Sequence, residues 1–136
     1  MKVLQFAFDS RESGDYLPHN YEKHCVVYTG THDNDTALGW IQNAPAADVR
    51  RAVEYLRLTE EEGMNWGMMR GAWSSVGELS VVQMQDVLGL GGDARMNRPS
   101  TVGANWRWRM LPDAAAPELA ARLRRQMELY QRLPKA

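Results

Sequence analysis

The six consecutive residues Thr31-His32-Asp33-Asn34-Asp35-Thr36 carry an imidazole, two carboxylates, an amide and two hydroxyls. Side chains of these kinds at this density support several chemistries. His32, Asp33 and Asp35 could contribute ligands to a metal, Asp33 could orient or stabilise a sugar, and His32 could act as a general base. A scaffold role competes with all three: Asp35 or Asn34 would cap a helix that follows, and the His32 ring would be satisfied by backbone. A metal site would need ligands from elsewhere, and His19 and His24 lie on a segment whose path the pattern leaves open.

A second cluster runs Arg95-Met96-Asn97-Arg98-Pro99 and then Asn105-Trp106-Arg107-Trp108-Arg109. Alternating Trp and Arg can form a stacking platform for sugar rings or bases, because indole faces pack on apolar faces and guanidinium groups supply several donors. The alternative is an extended segment with Trp106 and Trp108 buried against helices and both arginines in water. Composition alone favours that second arrangement. A nucleic-acid platform wants a basic balance, whereas 16 Lys+Arg against 17 Asp+Glu leave a formal net charge of -1. Neither nucleic acid nor an anionic membrane is drawn to the chain as a whole, and a neutral or small polar partner fits better.

These groups need elements to hold them. The run Val3 to Phe8 is rich in β-formers and is cut by Asp9-Ser10 and Gly14, which predicts a buried strand. Residues 9–24 carry Gly14, Pro18, Asn20 and several charges without periodicity and read as a long loop. Cys25 to Thr29 is a second strand, ended by Gly30, and a short helix follows through Leu38, Trp40 and Ile41. Val49, Ala52, Val53 and Leu56 recur at i, i+3, i+4 and i+7 and predict a helix over residues 46–57. Thr59-Glu60-Glu61-Glu62 matches a capping box, so another helix is expected to start at Thr59, with Trp66, Met69, Trp73 and Val76 on one face. Leu79 to Met84 returns to β character, Gln85 to Leu88 suits one helical turn, and Gly89-Leu90-Gly91-Gly92 reads as a loop. The last helix begins near Pro117, with a stripe of Leu119, Leu123, Met127 and Tyr130 opposite Arg122, Arg125 and Arg132.

Alternating strands and helices in this order imply a parallel sheet with crossover helices, the α/β class. Parallel α/β folds gather ligand-binding groups just beyond the strands' C-terminal ends, which is where the His32 and Asp33 cluster falls. The single cysteine, Cys25, excludes a disulfide framework and sits in an apolar run as a small buried hydrophobe, consistent with a reducing cytoplasm. No apolar stretch has the length of a signal peptide core or a membrane span, so the expected location is cytoplasmic.

Tyr28-Thr29-Gly30-Thr31-His32-Asp33-Asn34-Asp35-Thr36-Ala37-Leu38-Gly39-Trp40 resembles the signature of the amylomaltases, the bacterial 4-alpha-glucanotransferases of glycoside hydrolase family 77. Met1 to Phe8, Leu17-Pro18-His19-Asn20-Tyr21, Ala72-Trp73-Ser74-Ser75, Gln85 to Gly91 and Ala94-Arg95-Met96-Asn97 are similar to further segments of that family, in the same order. The resemblance covers essentially all of residues 1–136. It implies the C-terminal segment, about three βα units, of an α-amylase-like (β/α)8 TIM-type barrel. The implied activity is transfer of α-1,4-glucan segments between maltooligosaccharides by a retaining double displacement, with no metal and no organic cofactor. The family's nucleophile and acid/base would lie on earlier strands, before Met1, so the isolated chain is expected to be inactive, and open sheet edges would favour its self-association. Asp33, directly after a histidine, maps onto the transition-state-stabilising aspartate. His32 would hold a hydroxyl of the same sugar, and Asn97 is a further candidate for substrate contact. A non-catalytic carbohydrate-binding or scaffold module derived from the barrel is the alternative. Two departures stand out: Ser100 and Ala104 occupy positions where the family usually has glycine.

Overall fold

The structure is a computed structural model that describes residues 1–135. Its centre is a small parallel sheet of β1 (Lys2–Val3), β2 (Val26–Tyr28) and β3 (Leu79–Val81), in that spatial order. Lys2 pairs with Val27 and Val3 with Tyr28, while Val26, Val27 and Tyr28 face Leu79, Ser80 and Val81. The helices α1 (Ala37–Asn43), α2 (Ala46–Leu56) and α3 (Met64–Trp73) form the crossover between β2 and β3, followed by α4 (Met84–Val87) and α5 (Pro117–Leu129). The parallel α/β arrangement expected from the sequence is therefore present.

The predicted first strand is much shorter than its apolar run. The ladder stops at Val3 and the chain tightens into a 3-10 turn over Leu4–Phe6, closed by the Ala7 N–H on the Leu4 carbonyl. Leu4, Ala7 and Phe8 then fall at i, i+3 and i+4 and all face the core, whereas Phe6 is turned outward. A strand would have alternated these side chains across the sheet; the turn puts them on one side, against Ala52, Leu56 and Met68. β3 likewise ends at Val81, before the predicted Met84, which instead opens α4.

The α2 stripe forms as expected, with Ala52 and Leu56 buried, and the helix closes on Arg57 at φ 54. The capping box at Thr59 forms only by half. The Thr59 hydroxyl accepts the Glu62 N–H at 3.2 Å, but the Glu62 carboxylate takes the Arg70 guanidinium at 2.7 and 3.0 Å instead of returning to Thr59. Gly63, at φ 97, breaks the chain there and α3 begins at Met64. Its Trp66, Met69 and Trp73 pack with Val87 and with Leu119, Leu123, Met127 and Tyr130 of α5. Val76, expected on the same face, lies beyond the helix and is exposed.

Two arginines assigned to the outer face of α5 turn inward. Arg122, beside Leu119 and Leu123 on the helix surface, stacks over the Trp66 ring at 3.9 Å and donates to the Glu62 carbonyl. Arg132 donates to the carbonyls of Trp73, Ser75 and Gly77, groups left open by the end of α3. Arg125 is exposed, as expected. Residues 9–24 are irregular apart from one 3-10 turn at Pro18–Asn20, and Cys25 is half-buried against Tyr21, Val27 and Ala72. No helix among the described residues is long and apolar enough to cross a membrane.

Candidate functional site

A cavity of about 470 Å³ opens beyond the C-terminal ends of β2 and β3, lined by Tyr28, His32, Asp33, Gln83, Met96 and Trp106 among others. Its polar edge is the loop 30–36. Asn34 staples that loop from inside, its carbonyl oxygen accepting both the N–H and the hydroxyl of Thr31 at 2.8 Å. The Gly30 carbonyl accepts from the Gln83 amide at 3.1 Å, which ties the loop to the segment after β3.

His32 and Asp33 stand at the mouth of the cavity with side chains about half exposed, and His32 Nε2 lies 3.3 Å from Asp33 Oδ1. Asn97 donates to the same carboxylate oxygen at 2.7 Å, so the three residues singled out from the sequence converge although Asn97 is 64 positions from Asp33. Arg95, which the sequence placed in the same cluster without a role, donates to the Asp33 carbonyl at 2.9 Å. The Asp33 carboxylate is thus held at Oδ1 by the Asn97 amide and the His32 ring, while no side chain is bonded to Oδ2 among the described residues and the group lines the cavity. A sugar hydroxyl reaching such a group meets an oriented acceptor with little freedom left to lose.

Trp106 is not buried against helices, contrary to the arrangement that composition favours. It is 55% exposed, and its ring centroid lies 5.1 Å from that of His32. Its backbone N–H donates to the Met96 carbonyl, pinning the segment around Asn97 to the segment around Trp106, and its backbone takes φ 63. Trp108 is half-buried and lines a separate cavity with Leu88, Leu90 and Leu111. The two indoles of the motif therefore serve different surfaces. Nearby, Ser100 sits at φ 63, a left-handed conformation that costs a serine about 1 kcal/mol relative to glycine, while Ala104 takes no positive φ.

The expected cap at Asp35 or Asn34 is corrected. Thr36 caps α1, its hydroxyl accepting the Gly39 N–H at 3.1 Å. The Asp35 carboxylate accepts the Thr36 N–H at 2.8 Å, with Arg95 4.0 Å away. It is wedged between two glycines: a Cβ on Gly92 would stand 2.9 Å from it, and one on Gly39 would overlap it. Asp35 therefore faces away from the cavity that Asp33 lines. Among the described residues, no group of three or more His, Cys, Asp or Glu side chains is placed to hold a metal ion. His19 contacts the Tyr55 hydroxyl and His24 the Glu78 carboxylate, both away from the loop.

Asp86 was missed as a site residue. It is 1% exposed, and it accepts the Thr29 hydroxyl at 2.8 Å and the Ala37 N–H at 2.7 Å. The signal available in the sequence was an acid inside the otherwise amide and apolar turn Gln85-Asp86-Val87-Leu88. Burial pushes its carboxyl above the usual aspartate value of 3.8; the bonds from Ala37 and Thr29 offset part of the rise and the charge of Asp35 adds to it. The folded chain then keeps this proton to higher pH than the unfolded chain. Its contribution to stability is complete below 3.8 and is lost as pH rises through the raised folded value. Urea unfolding of wild type and Asp86→Asn, compared pH by pH, is expected to show the variant gaining on wild type as pH rises from 3.8 through the raised folded value and holding that gain above it. A difference independent of pH would contradict the assignment.

Comparison with known proteins fits this geometry. Residues 1–114 match the family described as 4-alpha-glucanotransferase, glycoside hydrolase family 77. The chain is 53% identical to a 4-alpha-glucanotransferase of Clostridium butyricum, over 97% of this chain and 27% of that protein. It is 48% identical to one of Thermus thermophilus, over 98% of this chain and 28% of that protein. Among solved structures it resembles an amylomaltase from Streptococcus agalactiae in complex with acarbose, with a TM-score of 0.90 and 33% identity, covering 96% of this chain and 27% of that one. The chain spans about a quarter of the length of the relatives it matches.

Proposed function

The chain belongs to the 4-alpha-glucanotransferase family, and from that premise we propose that it is the C-terminal part of the catalytic barrel of such an enzyme, supplying the donor-sugar side of the site. The observation that carries this reading is the convergence of His32, Asp33 and Asn97 at a cavity beyond the ends of parallel strands. The parallel βα crossover from β2 to β3 is the unit from which a (β/α)8 barrel is built, and sites of such barrels lie at that end of the strands.

The complete enzyme would transfer α-1,4-glucan segments between maltooligosaccharides through a glycosyl-enzyme intermediate. A carboxylate nucleophile and a carboxylic acid on other parts of the barrel would flank the scissile bond. The Asp33 carboxylate would accept hydrogen bonds from hydroxyls of the reacting sugar, and those bonds strengthen as positive charge develops on its ring. The His32 ring would contact the same sugar, and the exposed Trp106 indole beside it offers an apolar face for a pyranose ring. The single half-buried thiol, Cys25, suits a reducing cytoplasm.

The test is the product pattern. The complete polypeptide incubated with maltotriose is expected to yield glucose together with a ladder of longer α-1,4-linked oligosaccharides. Hydrolysis products alone, or binding of maltotriose without turnover, would overturn the transferase assignment; the second outcome would favour a carbohydrate-binding module.

A further inference from the structure

The loop 30–36 carries the two residues proposed to meet the donor sugar, yet its own internal bonds do not fix where it stands. Asn34 and Thr31 shape the loop from inside, and neither reaches the sheet. Its upstream stem is Thr29, the residue after β2, and its downstream stem is Ala37, the first residue of α1. One side chain from a third part of the chain touches both stems. Asp86 Oδ2 accepts the Thr29 hydroxyl, and Asp86 Oδ1 accepts the Ala37 N–H. We infer that Asp86 is a positioning residue for the donor-sugar loop: a single buried carboxylate that clamps both stems and so sets the place of His32 and Asp33.

Three features make Asp86 suited to this. Its own backbone is held, because the Asp86 carbonyl accepts the Asn65 amide of α3 at 2.7 Å and the Asp86 N–H donates to the Gln83 carbonyl at 3.0 Å. The clamp is thereby referred to the helix layer and does not move with the loop. Both stems are themselves buried, with Thr29 and Ala37 at 0% exposure, so no water stands in for a lost acceptor. The two bonds leave different oxygens of one planar group, so the separation of the stems is fixed by a rigid ruler. Neither Asp86 nor the two stem residues its carboxylate holds, Thr29 and Ala37, lines the cavity around Asp33, which makes the action indirect.

The inference rests on the proposed function, and the experiment separates their failures. In the complete enzyme acting on maltotriose, Asp86→Ala is expected to lower kcat per folded molecule by about tenfold to a hundredfold, with KM changed much less, since a displacement on the order of 1 Å at a reacting group has effects of that size. Asp86→Asn should recover most of the loss: the amide oxygen still accepts the Ala37 N–H, and the Thr29 hydroxyl can turn to accept from the amide nitrogen. Thr29→Val, which opens one jaw without changing side-chain volume much, should fall between them. Hydrogen exchange at the Ala37 amide should speed up in Asp86→Ala more than at amides of α2. If Asp86→Ala does not fold, Asp86→Asn and Thr29→Val carry the comparison. A purely structural Asp86 would lower the unfolding midpoint of these variants and leave kcat of the folded fraction at the wild-type value, and that result overturns the inference. Asp33→Asn in the same assay is the control for the reading beneath: wild-type turnover there sinks the proposed function, whereas a crippled Asp33→Asn beside a normal Thr29→Val and Asp86→Ala sinks the clamp alone.

Discussion

Asp33→Asn in the complete enzyme is expected to reduce kcat on maltotriose by about a hundredfold to a thousandfold with little change in KM, an increase in barrier of about 3–4 kcal/mol. The substitution keeps the size and shape of the side chain. An amide oxygen can still accept the Asn97 donor that now reaches Asp33 Oδ1 at 2.7 Å, so the group should stay in place. What disappears is a full negative charge beside a ring that becomes positive only on the way to the transition state. An interaction made chiefly in that state appears in kcat and not in ground-state binding. Asp35→Asn is the internal contrast. Its oxygen can still accept the Thr36 N–H, and the Arg95 guanidinium it partly loses stands 4.0 Å away, so kcat should remain within a few-fold of wild type. Steady-state kinetics that ranked the two variants the other way would displace the catalytic role from Asp33.

The second large effect is an absence. Purified residues 1–136 alone are expected to release no glucose from maltotriose above a blank, whereas the complete polypeptide is expected to do so readily. A retaining glycosyl transfer needs two carboxyl groups about 5 Å apart across the scissile bond, one to attack and one to protonate the leaving oxygen. The cavity beside β2 and β3 is lined by one carboxylate, that of Asp33. The next in sequence, Asp35, is turned away between Gly39 and Gly92 and does not line it. Glucose release by the chain alone, abolished by Asp33→Ala, would mean that this segment contains a complete catalytic set and that the roles given to its residues are wrong.

The pair His32 and Asp33 was legible because the two are consecutive and follow a strand, so locating the strand located the pair. Asn97 was legible only through family resemblance. Nothing in the spacing of residues 33 and 97 says that they meet, and what brings them together is the backbone bond from Trp106 to Met96 and the reach of Arg95. Asp86 was missed for the same reason, since its partners lie 57 and 49 positions away and the one signal it carries, an acid inside an amide and apolar turn, points to neither of them. The strand predicted over Val3 to Phe8 failed because a short apolar run has no period of its own; tertiary burial of Leu4, Ala7 and Phe8 on one side decided for a turn. At Asp35 the rule of helix capping was sound, but two adjacent residues could satisfy it, and the Thr36 hydroxyl was better placed. Arg122 and Arg132 were misassigned because their aliphatic stems can cover an apolar face while the charged ends find carbonyls, a choice that periodicity of charge does not reveal.

The bond between Thr29 and Asp86 also orders events in time. A chain made from its N-terminus completes the loop 30–36 before Asp86 exists, and the two ends of that bond are 57 residues apart. Until the crossover helices have condensed and β3 has docked beside β2, both stems of the loop lack their common acceptor, and closing so long a segment is the slow part of assembling a parallel sheet. His32 and Asp33 are thus among the first residues synthesised in this region and among the last to acquire their final geometry. A ribosome that pauses between codons 37 and 86 would hold a loop with the right sequence and no fixed shape.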